Sequence, residues 1–142
     1  MLEQLWLKWV QYPWHAWLKE EPKWLHLFLD VALKIPGTES VRFLQSVRPL
    51  VLLPPPSHGR VVRVHAQLMA GVNILQLNES LLTRPKAEAH GIIAHELAHI
   101  MFAPSGNVEL DDMEADRIAA GWGFKEGLLQ ALEKDLGVNH PR

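Results

Sequence analysis

Apolar residues keep a helical period at both ends of the chain and change period only in the middle. Leu2, Leu5, Trp6 and Trp9 share one helical face ahead of Pro13, and Trp24, Leu25, Phe28, Leu29 and Ala32 repeat that spacing after Pro22. Two or three short helices are therefore expected over residues 1–35. Pro36-Gly37 stops the last of them, and residues 38–47 suit another helix. Pro54-Pro55-Pro56 forms a stiff spacer, expected to divide a helical, Trp-rich part (1–50) from the remainder (51–142) of a single domain spanning 1–142. Beyond it the period becomes two: Val62, Val64 and Ala66 alternate with Arg63, His65 and Gln67, and a second run over 72–77 follows across Gly71, which reads as a hairpin. Pro85 then opens a helix with an almost wholly apolar middle, closed by Pro104, Ser105 and Gly106. Two more helices are expected over residues 108–120 and 125–136.

That pattern predicts an α+β fold, and a chain of 142 residues with 48% apolar content is large enough to bury a core of its own. Its 14 Lys and Arg against 16 Asp and Glu leave a formal charge of -2, so nucleic acid is not an expected partner. No cysteine is present, which removes disulfides and thiolate metal sites and leaves any metal to histidine and carboxylate. Glu3 stands where a secretory signal would carry basic residues, and no apolar run approaches the roughly 18–20 residues of a membrane span. A soluble, cytoplasmic protein is expected, with no membrane partner.

Within the apolar helix lies His95-Glu96-Leu97-Ala98-His99. Imidazoles four residues apart sit one helical turn from each other on the same face and can grip one ion. Zinc held by two histidines and a carboxylate keeps a position for water and lowers that water's pKa towards 7, and a neighbouring carboxylate can take its proton. Glu96 is placed for that general-base role. The bland alternative is a pair of core histidines with ordinary hydrogen bonds. The apolar surroundings from Gly91 to Phe102 weigh against it, because buried histidines and glutamates need partners or a metal.

This motif with its uncharged flanks, Ile92, Ile93, Leu97, Ala98, Ile100 and Met101, resembles the active-site helix of the zincin metallopeptidases, over roughly residues 60–123. The resemblance implies a minimal zincin fold: N-terminal helices, a small mixed sheet of about three strands, the active-site helix and two C-terminal helices. It also implies that Asn73-Ile74-Leu75-Gln76-Leu77-Asn78 is the edge strand along which an extended peptide lies. The metzincin branch would need glycine at position 102 and histidine at 105, where Phe102 and Ser105 stand. The gluzincin branch takes its third ligand from a downstream E-x-x-A-D helix, and Asp112-Met113-Glu114-Ala115-Asp116 is similar to it, with Asp112 in the ligand position. Helical geometry puts Asp112 and Asp116 about 40° apart and Glu114 roughly 200° from Asp112. Asp112 is accordingly the favoured third ligand, with Asp116 supporting a ligating histidine. Glu114 stays open as the alternative ligand, having the longer reach.

The expected activity is zinc-dependent hydrolysis of peptide bonds in a peptide or protein substrate. The alternatives are a catalytically silent or regulatory metal-binding protein of the same fold, and a zinc amidase. Arg117 and His140 are candidate oxyanion stabilisers with no supporting pattern, and the sole tyrosine, Tyr12, stands far upstream in the sequence. The remaining histidines, including His15, His65 and His90, lack ligand spacing and are expected at the surface or in hydrogen bonds. Five of the six tryptophans fall within the first 24 residues and are expected mainly in the core, with part of the segment free to cover the cleft or dock on a partner.

Overall fold

A computed structural model of the chain describes residues 2–45, 49–55 and 73–136. These residues are mostly helical, with one two-stranded parallel sheet, so the arrangement is α+β. The elements are α1 (Leu2–Val10), α2 (Pro22–Ala32), α3 (Gly37–Gln45), β1 (Leu50–Leu53), β2 (Asn73–Gln76), α4 (Lys86–Ala98), α5 (Val108–Gly121) and α6 (Lys125–Leu136). Short 3-10 turns occupy Pro13–Lys19, Glu79–Thr83 and His99–Met101. None of the described helices is long and apolar enough to cross a membrane. The chain forms two compact units, Met1–Thr83 and Arg84–Arg142.

The first unit is organised by aromatic side chains. Trp6, Trp9, Trp24, Phe28 and Phe43 are all buried. Trp9 stacks on Phe28 at 5.0 Å, and Trp6 meets Trp9 and Phe28 edge to face at 5.4 and 5.8 Å, the arrangements that the aromatic quadrupole favours. The same segment satisfies the outer edge of β1. Trp9 Nε1–H donates to the Leu50 carbonyl at 2.6 Å, Trp17 Nε1–H donates to the Leu52 carbonyl at 3.1 Å, and the Leu52 N–H donates to His15 Nε2 at 3.1 Å. In a strand, residues two apart direct their backbone groups to one edge, so Leu50 and Leu52 present theirs together and three side chains meet them. The tryptophan-rich start is thus explained by packing and by edge protection, while Tyr12 and Trp14 remain exposed.

β1 and β2 run parallel, with Leu50 opposite Asn73 and Leu53 opposite Gln76. Of the expected hairpin, the first strand falls outside the described residues and the second is β2, whose partner among the described residues is β1, a segment for which no strand was expected. Leu50-Val51-Leu52-Leu53 has no polar alternation because the strand is buried nearly throughout, and parallel strands read as continuous apolar runs.

His15 is fully buried, and its tautomer follows from its partners. Because Nε2 accepts the Leu52 N–H, the proton lies on Nδ1, which donates to the Trp9 carbonyl at 2.7 Å. Burial pushes its pKa below the usual 6.5, and the bond to the Trp9 carbonyl offsets part of this. The unfolded chain then binds the proton more readily than the folded one. The stability contribution is complete above about pH 6.5 and is lost as pH falls through the lowered folded-state value. Urea midpoints of the wild type are expected to hold above pH 7 and to decline below pH 6.5, and His15→Gln to show a shallower decline over the same range. Equal slopes in the two proteins would contradict this.

In the second unit, α4 packs on both α5 and α6. The α4–α6 approach depends on two glycines: a Cβ on Gly91 would lie 2.5 Å from the Leu128 nitrogen, and one on Gly127 would lie 2.0 Å from the Ala87 carbonyl oxygen. Ala89, Ile93, Ala94, Leu97 and Ala98 of α4 and Ala115 and Ala119 of α5 fill the remaining interior. α5 ends in a Schellman motif. Gly123 takes φ 102°, its N–H donates to the Ala120 carbonyl at 3.0 Å, and the Phe124 N–H donates to Ala119 at 3.1 Å.

Candidate metal centre

The apolar composition of α4 buries His95, which is 5% exposed, and leaves His99 partly open at the point where the α-helix tightens into the 3-10 turn His99–Met101. Glu96 is exposed on the same helix, about 60° around the axis from His99. The register of α5 is fixed at its start. Asn107 caps it by accepting the Leu110 N–H at 3.1 Å, and the Ser105 N–H donates to both oxygens of Asp111 at 3.1 and 3.2 Å. With α5 beginning at Val108, Asp112 and Asp116 share the side of the helix that meets the histidines.

Three atoms converge there. His95 Nε2 and His99 Nε2 are 3.1 Å apart, and Asp112 Oδ1 lies 3.0 Å from His99 Nε2 and 3.3 Å from His95 Nε2. Behind them, His95 Nδ1 meets Asp116 Oδ1 at 2.7 Å. A carboxylate only accepts, so the His95 proton sits on Nδ1 and its Nε2 presents a lone pair to the cluster. When both rings are neutral, at most one hydrogen lies among three acceptor atoms, and a cation at their centre satisfies all three at once. The spacing agrees: bonds of about 2.0–2.2 Å to a tetrahedral ion place neighbouring ligand atoms about 3.3–3.6 Å apart, close to the triangle seen here. His95, His99 and Asp112 could therefore hold a metal ion. Asp116 holds the His95 ring in the tautomer that ligation requires.

Two other candidates of α5 are committed to each other. Glu114 is taken up by a two-pronged pair with Arg117, Oε2 accepting from Nε at 2.9 Å and Oε1 from Nη2. That guanidinium holds the Glu114 carboxyl below its ordinary range and raises the Arg117 pKa in return. Arg117 is thus engaged by Glu114 at the surface, Tyr12 lies in the first unit, and His65 and His140 fall outside the described residues. α5 carries Glu109, Asp111, Asp112, Glu114 and Asp116 against Arg117 alone, a field that favours a cation.

Phe102, at the end of the apolar stretch that begins at Gly91, stands beside the second histidine. Its ring lies 5.8 Å from that of His99, tilted by 38°. The available signal was an aromatic three residues after the second histidine and two before Pro104, where the helix has to stop. Comparison with known proteins finds no family model that matches this chain, and no curated protein or solved structure that matches it.

Proposed function

We propose that the chain is a zinc-dependent metallopeptidase of gluzincin-like type, with His95, His99 and Asp112 as metal ligands, Asp116 supporting His95, and Glu96 as general base. The observation that carries this reading is the triangle of two Nε2 atoms and one carboxylate oxygen on an HExxH helix. Two imidazoles and one carboxylate form the ligand set of catalytic zinc, which leaves a coordination position for solvent, whereas structural zinc usually has four protein ligands. When bound, zinc supplies Lewis acidity that activates water and polarises a peptide carbonyl.

The protein's own groups handle the rest of the chemistry. Asp116 keeps Nδ1 of His95 protonated, which directs the Nε2 lone pair inward. Glu96, on the exposed side of α4, accepts the proton of the attacking water on its carboxylate and passes it to the leaving amine. Cleavage of an unstructured protein tests the reading. With zinc added the wild type is expected to cut, a chelator to abolish cutting, and Glu96→Gln to lower the rate by roughly 10²–10⁴-fold while retaining zinc. A zinc-loaded wild type that binds peptides without cutting them would favour the regulatory binding protein instead.

A further inference from the structure

We infer that Phe102 is the positioning residue for His99, standing in for the hydrogen-bonded partner that Asp116 provides to His95. This rests on the metal-centre reading and extends it to a residue outside the HExxH and Asp112–Asp116 patterns.

The two rings of the cluster are supported differently. His95 is buried, and its far nitrogen is anchored on Asp116 at 2.7 Å. The His99 side chain is 33% exposed, and its Nε2 contacts His95 and Asp112. Among the described residues its Nδ1 makes no hydrogen bond, and none of their polar groups outside the cluster sets the orientation of the ring. A ligating imidazole needs such support, since a ring free to turn about its Cβ–Cγ bond loses entropy whenever an ion is held.

Local backbone geometry supplies it. α4 ends at Ala98 and the chain tightens into the 3-10 turn His99–Met101, with Phe102 extended at φ -144° and ψ 159°. Phe102 follows that turn directly, where the chain leaves the helix, and its ring lies 5.8 Å from that of His99, tilted by 38°. Pro104 enforces the turn, because the residue before proline is disfavoured in the helical region and the helix must end there. Phe102 thus limits the tilt of His99 and shields one side of it, without touching the ion or the substrate.

The test uses the full chain with Phe102→Ala, Phe102→Leu and Phe102→Tyr, and two readouts. In the metal-free protein, long-range 1H–15N spectra and ring-to-ring NOEs report the orientation of His99. Wild type and Phe102→Tyr are expected to show one ordered ring, and Phe102→Ala an averaged one, with His95 unchanged in all. Competition with a chelator reports zinc affinity, expected to fall about 10-fold in Phe102→Ala, to be restored in Phe102→Tyr and to be intermediate in Phe102→Leu. An ordered His99 ring in Phe102→Ala overturns the inference whatever the metal does. If the wild type fails to bind zinc, the metallopeptidase reading falls, and the ring order of the metal-free proteins still decides the role of Phe102. Should Phe102→Ala prove unfolded, Phe102→Leu carries the decision: averaging of His99 there sustains the inference, and a wild-type ring overturns it.

Discussion

Asp112→Ala is expected to weaken zinc retention by on the order of a hundredfold or more, and Glu114→Ala to leave it within a few-fold of wild type. The difference follows from where the two carboxylates stand. Asp112 Oδ1 is 3.0 Å from His99 Nε2 and 3.3 Å from His95 Nε2, so its removal takes away one corner of the ligand triangle and the only charge in it. Glu114 is committed to Arg117 on the outer side of α5, and its loss frees an exposed guanidinium worth little to stability. Asp116→Asn should fall between the two. The amide keeps the shape but accepts less strongly from His95 Nδ1–H, and outer partners of this kind contribute about 10–100-fold in affinity. Zinc content after dialysis against a graded chelator series ranks the three variants, and a Glu114→Ala protein that loses zinc before Asp112→Ala does would reverse the assignment.

The second large effect is structural. Gly127→Ala is expected to destabilise the 84–136 unit by roughly 2–4 kcal/mol or to prevent its folding, because the new Cβ would sit 2.0 Å from the Ala87 carbonyl oxygen, a backbone atom with no rotamer to escape into. Alanine improves helix propensity over glycine by about 1 kcal/mol, too little to offset the separation of α4 from α6. Gly121→Ala is the matched control. It lies at the end of α5, nothing lies within 4 Å of its added Cβ, and it should be neutral or slightly stabilising. Thermal unfolding of the two variants is expected to move in opposite directions or, at the least, to differ by many degrees. Since α4 carries His95 and leads directly into His99, a Gly127→Ala protein that does fold should also bind zinc more weakly.

Much of this was legible in the chain before any coordinates. Pro22, Pro36-Gly37 and Pro85 punctuate the helices where the structure starts or ends them, because proline and glycine act locally through φ and the missing N–H. The juxtaposition of Asp112 and Asp116 also follows from helical periodicity, once Asn107 and the Ser105–Asp111 contact fix the first turn of α5. What escaped depends on pairing between distant segments. Leu50–Leu53 has no alternation to mark it as a strand, and its partner lies beyond a long connection that no short-range pattern specifies. His15 looked like an ordinary histidine because its role, bridging the Trp9 carbonyl and the Leu52 N–H, exists only after β1 has been placed beside the 3-10 turn. Phe102 escaped for a different reason: an aromatic three residues after a histidine is a common neighbour along a chain, and nothing in the pattern marks it as support for the ring.

A cation shared by two imidazole Nε2 atoms and the Asp112 carboxylate is the centre of the proposed chemistry. Titration of the 15N-labelled protein with zinc, followed through the ring nitrogens of all its histidines, tests this most directly. One equivalent should shift Nε2 of His95 and of His99 together, with the proton of each ring on Nδ1 in the bound form and no further change on adding a second equivalent. Nε2 signals that stay in place, or that move only with zinc in large excess, would contradict it.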